Sequence, residues 1–131
     1  MSTLLRFILM AALLIGNAWA VEALTPETFV RSNSEARKLT IDGMEKRVGL
    51  LQKGATQEEQ IVAAEQTNQA VETLFKSYGT TGSAHAAFGT YNKEQIEAWL
   101  EANPEWKQNE ANLNQRFQTL SKQIDGLLGV Q

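Results

Sequence analysis

An all-α fold, an antiparallel helical bundle of three long helices plus two short ones, is what the chain predicts, and three observations carry that expectation. Apolar residues recur at spacings of three and four in three long stretches, the pattern of one buried stripe on a helix. Helix-start and helix-stop chemistry punctuates those stretches at short intervals. No run alternates apolar and polar residues as a half-buried strand would.

The chain has 131 residues, a length that fits one domain behind a leader. Residues 1–20 read as a cleavable signal peptide. Arg6 supplies the positive charge, Phe7 to Ile15 the apolar run, and Ala18-Trp19-Ala20 the small-x-small cleavage site. The interval between Arg6 and Glu22 is short of the roughly 20 apolar residues a membrane span needs. The expectation is therefore an exported protein, periplasmic or secreted, with no stable membrane insertion once the leader is cleaved. Residues 21–131 would form the single mature domain.

Loss of the leader takes Arg6 with it and moves the net charge from −3 to −4. An acidic balance with no basic run argues against nucleic acid as a partner. The chain holds no cysteine, so an exported domain of this kind has no disulfide staple and depends on helix packing.

Thr25-Pro26-Glu27 opens the first helix with a hydroxyl cap, a proline at the first position and an acid in the first turn. Ser32-Asn33-Ser34 reads as an interruption, and Ser32 with Glu35 as a capping box that starts a second helix. Ile41, Met44, Val48 and Leu51 form its stripe, and Lys53-Gly54 its stop. Gly43 and Gly49 lie inside it, where a glycine allows either close helix approach or a bend.

Thr56 with Glu59 is a further capping box, so close behind Lys53 that the two helices must pack antiparallel. The helix that follows carries Ile61, Ala64, Asn68, Val71, Phe75 and Tyr78 at 3–4 spacing, and Gly79 ends it. Its first half is thinly apolar. Val62 and Ala63 lie outside its main stripe and leave room for a homodimer contact. Asn68 stands where an aliphatic residue would be expected, at a seam edge or in a polar pocket.

Gly79 to Tyr91 breaks the pattern with three glycines and three threonines, and reads as a loop with at most one helical turn around Ala84 to Phe88. Asn92 with Gln95 then has the form of a capping box, opening a short helix that turns Ile96, Trp99 and Leu100 inward. Asn103-Pro104-Glu105 ends that helix and caps the last one. In the closing helix Trp106, Leu113, Leu120 and Leu127 fall seven apart, with Phe117 and Ile124 between them.

Catalytic signatures are missing. One histidine cannot build a two-histidine metal site, and no thiol, nucleophile elbow or phosphate-binding loop is present. The chain therefore reads as a non-enzyme without cofactor or metal. His85 is unique and falls in the irregular stretch, where an exposed or locally hydrogen-bonded loop histidine is expected. Glu94, Glu97, Glu101 and Glu105 form an acidic row, read as a solvated face.

The candidate binding residues are Phe88, Tyr91, Trp99 and Trp106, with His85 and Asn68 beside them. Four of the mature chain's eight aromatic residues fall between Phe88 and Trp106, and aromatic side chains of this kind either anchor a protein interface or cap the bundle core. The functional expectation is a small exported helical protein that binds a protein partner. A periplasmic chaperone-like or envelope-stress protein is an alternative. So is a small-ligand binder whose pocket lies beneath the Gly79–Tyr91 stretch. Leu24-Thr25-Pro26-Glu27-Thr28 and Leu39-Thr40-Ile41-Asp42-Gly43 begin like the Leu-Thr-x-x-Gln motif of envelope chaperones of the Spy/CpxP type. Thr28 and Gly43 stand where that motif has Gln, and the chain is not assigned to the family.

Overall fold

Five helices account for 88% of what the computed structural model describes, residues 24–129, and no strand occurs among those residues. The signal-peptide expectation lies outside the described residues. The helices are α1 (Pro26–Gln52), α2 (Gln57–Ser77), α3 (Gly82–Tyr91), α4 (Lys93–Ala102) and α5 (Pro104–Leu128). Three are long and two short, the expected number, but the short pair is α3 and α4 and no short helix precedes Ser32. None of them is long and apolar enough to cross a membrane.

Local chemistry sets most boundaries. Thr25 caps α1 in a reciprocal pair with Thr28: Thr25 Oγ1 accepts from the Thr28 amide at 3.2 Å, and Thr28 Oγ1 from the Thr25 amide at 2.7 Å. Thr56 and Glu59 form the expected box at the head of α2. Gly54 and Gly79 take left-handed backbone at φ 72° and 71°, which turns the chain after α1 and after α2.

Three boundaries differ from expectation. Ser32-Asn33-Ser34 does not interrupt α1, which runs unbroken for 27 residues. Ser32 and Ser34 are fully buried. Ser32 Oγ donates to the Phe29 carbonyl at 3.1 Å, and Ser34 Oγ accepts from Asn109 Nδ2 of α5 at 2.7 Å. Bonded in these ways, the hydroxyls serve as small satisfied groups at a crowded crossing instead of as caps.

The second difference is Gly79–Tyr91. Only residues 79–81 are irregular, and the rest is α3, capped by Thr81 Oγ1 on the Ala84 amide at 3.2 Å. The third concerns Asn92 and Asn103. Neither side chain caps the helix ahead of it. Each reaches back, Asn92 Nδ2 to the Phe88 carbonyl at 3.1 Å and Asn103 Nδ2 to the Trp99 carbonyl at 2.7 Å, closing the helix behind.

Consecutive long helices run antiparallel. Gly43 of α1 meets Thr67 of α2, and Glu35 meets Tyr78, so α2 returns along α1. Ser34 pairs with Asn109 and Glu45 with Arg116, so α5 lies beside α1 in the same direction. The main core lies between α1 and α5, where Ile41, Val48, Leu113, Leu120 and Ile124 are buried together with Met44 and Leu51 at the margin. Each such side chain contributes about 1.5–3 kcal/mol of burial. The short helices α3 and α4 close the end at which α2 finishes and α5 begins.

Candidate functional site

α2 and α5 each pack against α1, but their backbones do not come within 8 Å of one another. A three-helix bundle with two of its three seams made is open along the third. The opening is a groove of about 350 Å³. Its floor is α1, with Gly43, Met44 and Arg47; Ala64 and Asn68 form the α2 wall, and Phe117, Ser121, Ile124 and Asp125 the α5 wall.

The apolar stripes of both walls run into this gap. Phe117 remains 42% exposed there and Ala64 is exposed on the facing wall; outside the lining, Ile61 is 51% and Leu127 42% exposed. Phe117 and Leu127 were expected inside the bundle with the rest of the closing stripe. Phe117 is uncovered because α2 leans on α1 and does not reach it, whereas Leu127 lies in the last turn of α5, outside the groove. Asn68 is exposed on the groove wall, which accounts for a polar residue at a stripe position.

The opposite end of the molecule is closed by aromatic rings. His85 is 6% exposed, a correction to the exposed loop histidine expected. It stacks on Phe29 at 4.3 Å between ring centroids and packs on Phe75 at 4.5 Å, while Phe88 lies tilted against Phe29 at 5.5 Å. Gly89 makes that contact possible, since a Cβ there would lie 2.8 Å from Phe29 Cζ. Trp99 and Trp106 form a second pair at 6.2 Å, with the Arg31 guanidinium 5.0 Å from the Trp106 ring. Phe88, Trp99 and Trp106 are all half-buried and cap the bundle. Tyr91, 86% exposed, stands apart from them. Asn68, His85 and Tyr91 are therefore not gathered under one loop. The acidic row Glu94, Glu97, Glu101 and Glu105 faces solvent, with Glu101 paired to Lys107.

Among the described residues, two buried polar atoms lack a hydrogen-bond partner, His85 Nε2 and Glu110 Oε1. Burial pushes the Glu110 carboxyl above its usual range, and Arg37 and the Asn33 side chain hold it back. Glu110 belongs to a polar band between α1 and α5 with Ser34–Asn109 and Arg37–Asn114. Burial also lowers the His85 pKa below 6.5, against a hydrogen bond from the imidazole to the Phe29 backbone carbonyl that raises it.

The sign of the histidine effect is definite. Below about pH 6.5 the unfolded chain binds a proton that the folded chain refuses, so this contribution to stability is present above pH 6.5 and is lost as pH falls toward the folded value. Glu110 works the other way, taking up a proton on acidification sooner in the folded state than in the unfolded one. A parent–variant comparison separates the two. His85→Phe keeps the stack and removes the buried nitrogen, and it is expected to flatten the fall in melting temperature between pH 7 and pH 5.5. Equal slopes in parent and variant would show that His85 is not the group responsible.

The chain matches no family model, no curated protein and no solved structure. The groove is therefore read on its own geometry. Sequence reasoning did not assemble Met44, Arg47, Phe117 and Asp125 into one site. The available signal was the thinly apolar first half of α2: a stripe with Ala64 and Asn68 in it is too weak to demand full cover.

Proposed function

We propose that this is an exported, non-enzymatic binding protein that takes an amphipathic helix of a protein partner into the α1–α2–α5 groove. The observation that carries the reading is the missing third seam, which leaves Ala64 and Phe117 exposed on facing walls. A bundle of this kind is completed by one more helix, laid in as i, i+3/i+4, i+7 anchors. The floor from Gly43 to Arg47 and the wall from Phe117 to Asp125 extend about 6 and 12 Å at helical rise. The longer of the two matches about two turns of a guest. Met44 on the floor suits such a role, because a thioether adapts to guest side chains of different shape. Export rests on the Arg6, Phe7–Ile15 and Ala18-Trp19-Ala20 pattern of the leader.

Photocrosslinking in the exporting cell tests this. A crosslinking residue at Ser121, on the groove wall, is expected to give a discrete protein adduct, and one at exposed Ala86 of α3 is not. Adducts at both positions, or at neither, would overturn the reading. A smear of many adducts at Ser121 alone would replace it with a chaperone-like one.

A further inference from the structure

The edge of the groove carries a charge pattern that narrows the class of guest. In α2 the wall residues Ala64 and Asn68 belong to a stripe with Ile61 and Val71 at heptad spacing, and the positions flanking that stripe on the outer side are Glu58, Glu65 and Glu72. These three glutamates are seven residues apart, span about 21 Å, are all exposed, and form no ion pair among the described residues. Across the groove Asp125 adds a fourth carboxylate, against Arg47 on the floor.

In packed helices the residues flanking an apolar seam decide which partner is accepted, and like charges facing one another exclude it. An uninterrupted glutamate row beside an unfilled seam is complementary to a cationic flank. Asn68, inside the seam, is the kind of polar residue that fixes register when a second polar group meets it.

We infer that the guest is a cationic amphipathic helix: aliphatic side chains toward Met44, Ala64 and Phe117, and Lys or Arg at heptad spacing along the flank that meets Glu58, Glu65 and Glu72. This rests on the groove being a helix-binding site. The glutamate row supplies the selectivity within it.

The absence of cysteine makes a single introduced one a unique label. Ser121→Cys carrying an environment-sensitive dye reports occupancy of the groove. Three synthetic helices with the same apolar stripe are titrated, with flanks of Lys, Gln or Glu. The Lys-flanked helix is expected to bind roughly tenfold tighter than the Gln-flanked one, with the Glu-flanked helix weakest. The difference should shrink as salt rises from about 0.03 M to about 0.5 M, because the flank charges are exposed. The triple variant Glu58→Lys/Glu65→Lys/Glu72→Lys is expected to reverse the order, with circular dichroism confirming its helix content.

Equal, salt-insensitive binding of all three helices would overturn the charge inference and leave the helix-binding groove standing. No binding of any would overturn both. A stable dimer by light scattering, with the dye already shielded before any peptide is added, would show that a second copy of the chain is the occupant and would likewise overturn the inference. If the lysine variant loses helix content, the salt series on the parent protein decides alone.

Discussion

Ile41→Ala is expected to destabilise the protein by about 2–5 kcal/mol, and Ile61→Ala by no more than about 0.5 kcal/mol. The two substitutions remove the same atoms from residues that look equivalent in the sequence, each the first aliphatic member of a 3–4 stripe on a long helix. The structure separates them. Ile41 is 3% exposed and packs with Val48, Leu113, Leu120 and Ile124. Truncating it removes buried methylenes and leaves a cavity that helices on two sides cannot easily collapse into. Ile61 is 51% exposed, so little transfer free energy is lost with its side chain. Urea denaturation of both variants with an unchanged slope reads the difference directly. A loss at Ile61 matching that at Ile41 would mean that α2 and α5 close on each other in solution.

That pair also shows how much of the fold was legible. Periodicity identified the three long helices and their buried stripes because burial and helical geometry act together over many residues. It could not say which part of a stripe lacks cover. Periodicity registers that a helix has an apolar face, whereas cover depends on where the neighbouring helices come to rest. The groove was invisible for that reason, although the weak stripe around Ala64 and Asn68 hinted at it.

The misread boundaries share a different cause. Ser32, Ser34, Asn92 and Asn103 are residue types that cap helices; the sequence pattern makes Ser32 and Asn92 caps of the helix ahead, Asn103 a cap ahead as well as an end behind, and Ser34 part of an interruption. A hydroxyl or amide can as well bond a carbonyl behind it or a neighbouring helix, and tertiary contact chose those partners. Likewise the glycines of Gly79–Tyr91 argued for a loop, yet Gly82 begins α3 and Gly89 sits within it, where only a glycine fits beside Phe29. His85 was misplaced as a consequence. A residue assigned to a loop is expected in water, and one on a helix docked against Phe29 and Phe75 is not.

Gly43 carries the second large effect, and its sign depends on one other residue. A Cβ at Gly43 would lie 2.5 Å from Thr67 Oγ1 and 2.9 Å from its Cγ2, closer than atoms tolerate. Thr67 has little freedom to yield: it is β-branched, and its hydroxyl donates to the Ala63 carbonyl at 3.3 Å. Gly43→Ala should therefore force α1 and α2 apart, an overpacking cost of about 1–3 kcal/mol that exceeds the gain of about 1 kcal/mol from replacing glycine inside a helix. In a Thr67→Ala background the two closest atoms are gone and the remaining approach, 3.2 Å to Cβ, needs only a small shift. There the helix-propensity gain is expected to win, so that the same Gly43→Ala change becomes neutral or stabilising. Gly49, with nothing within 4 Å of its added Cβ, is the control and should gain stability with alanine in either background. A thermal-denaturation cycle over the four Gly43/Thr67 combinations measures the coupling. Additive effects would remove the close approach as the reason for glycine at this position. Because Gly43 and Thr67 both line the groove, the substitution that moves α2 also resets the width into which a guest helix must fit. Peptide affinity should then fall in Gly43→Ala and recover with Thr67→Ala, in step with stability.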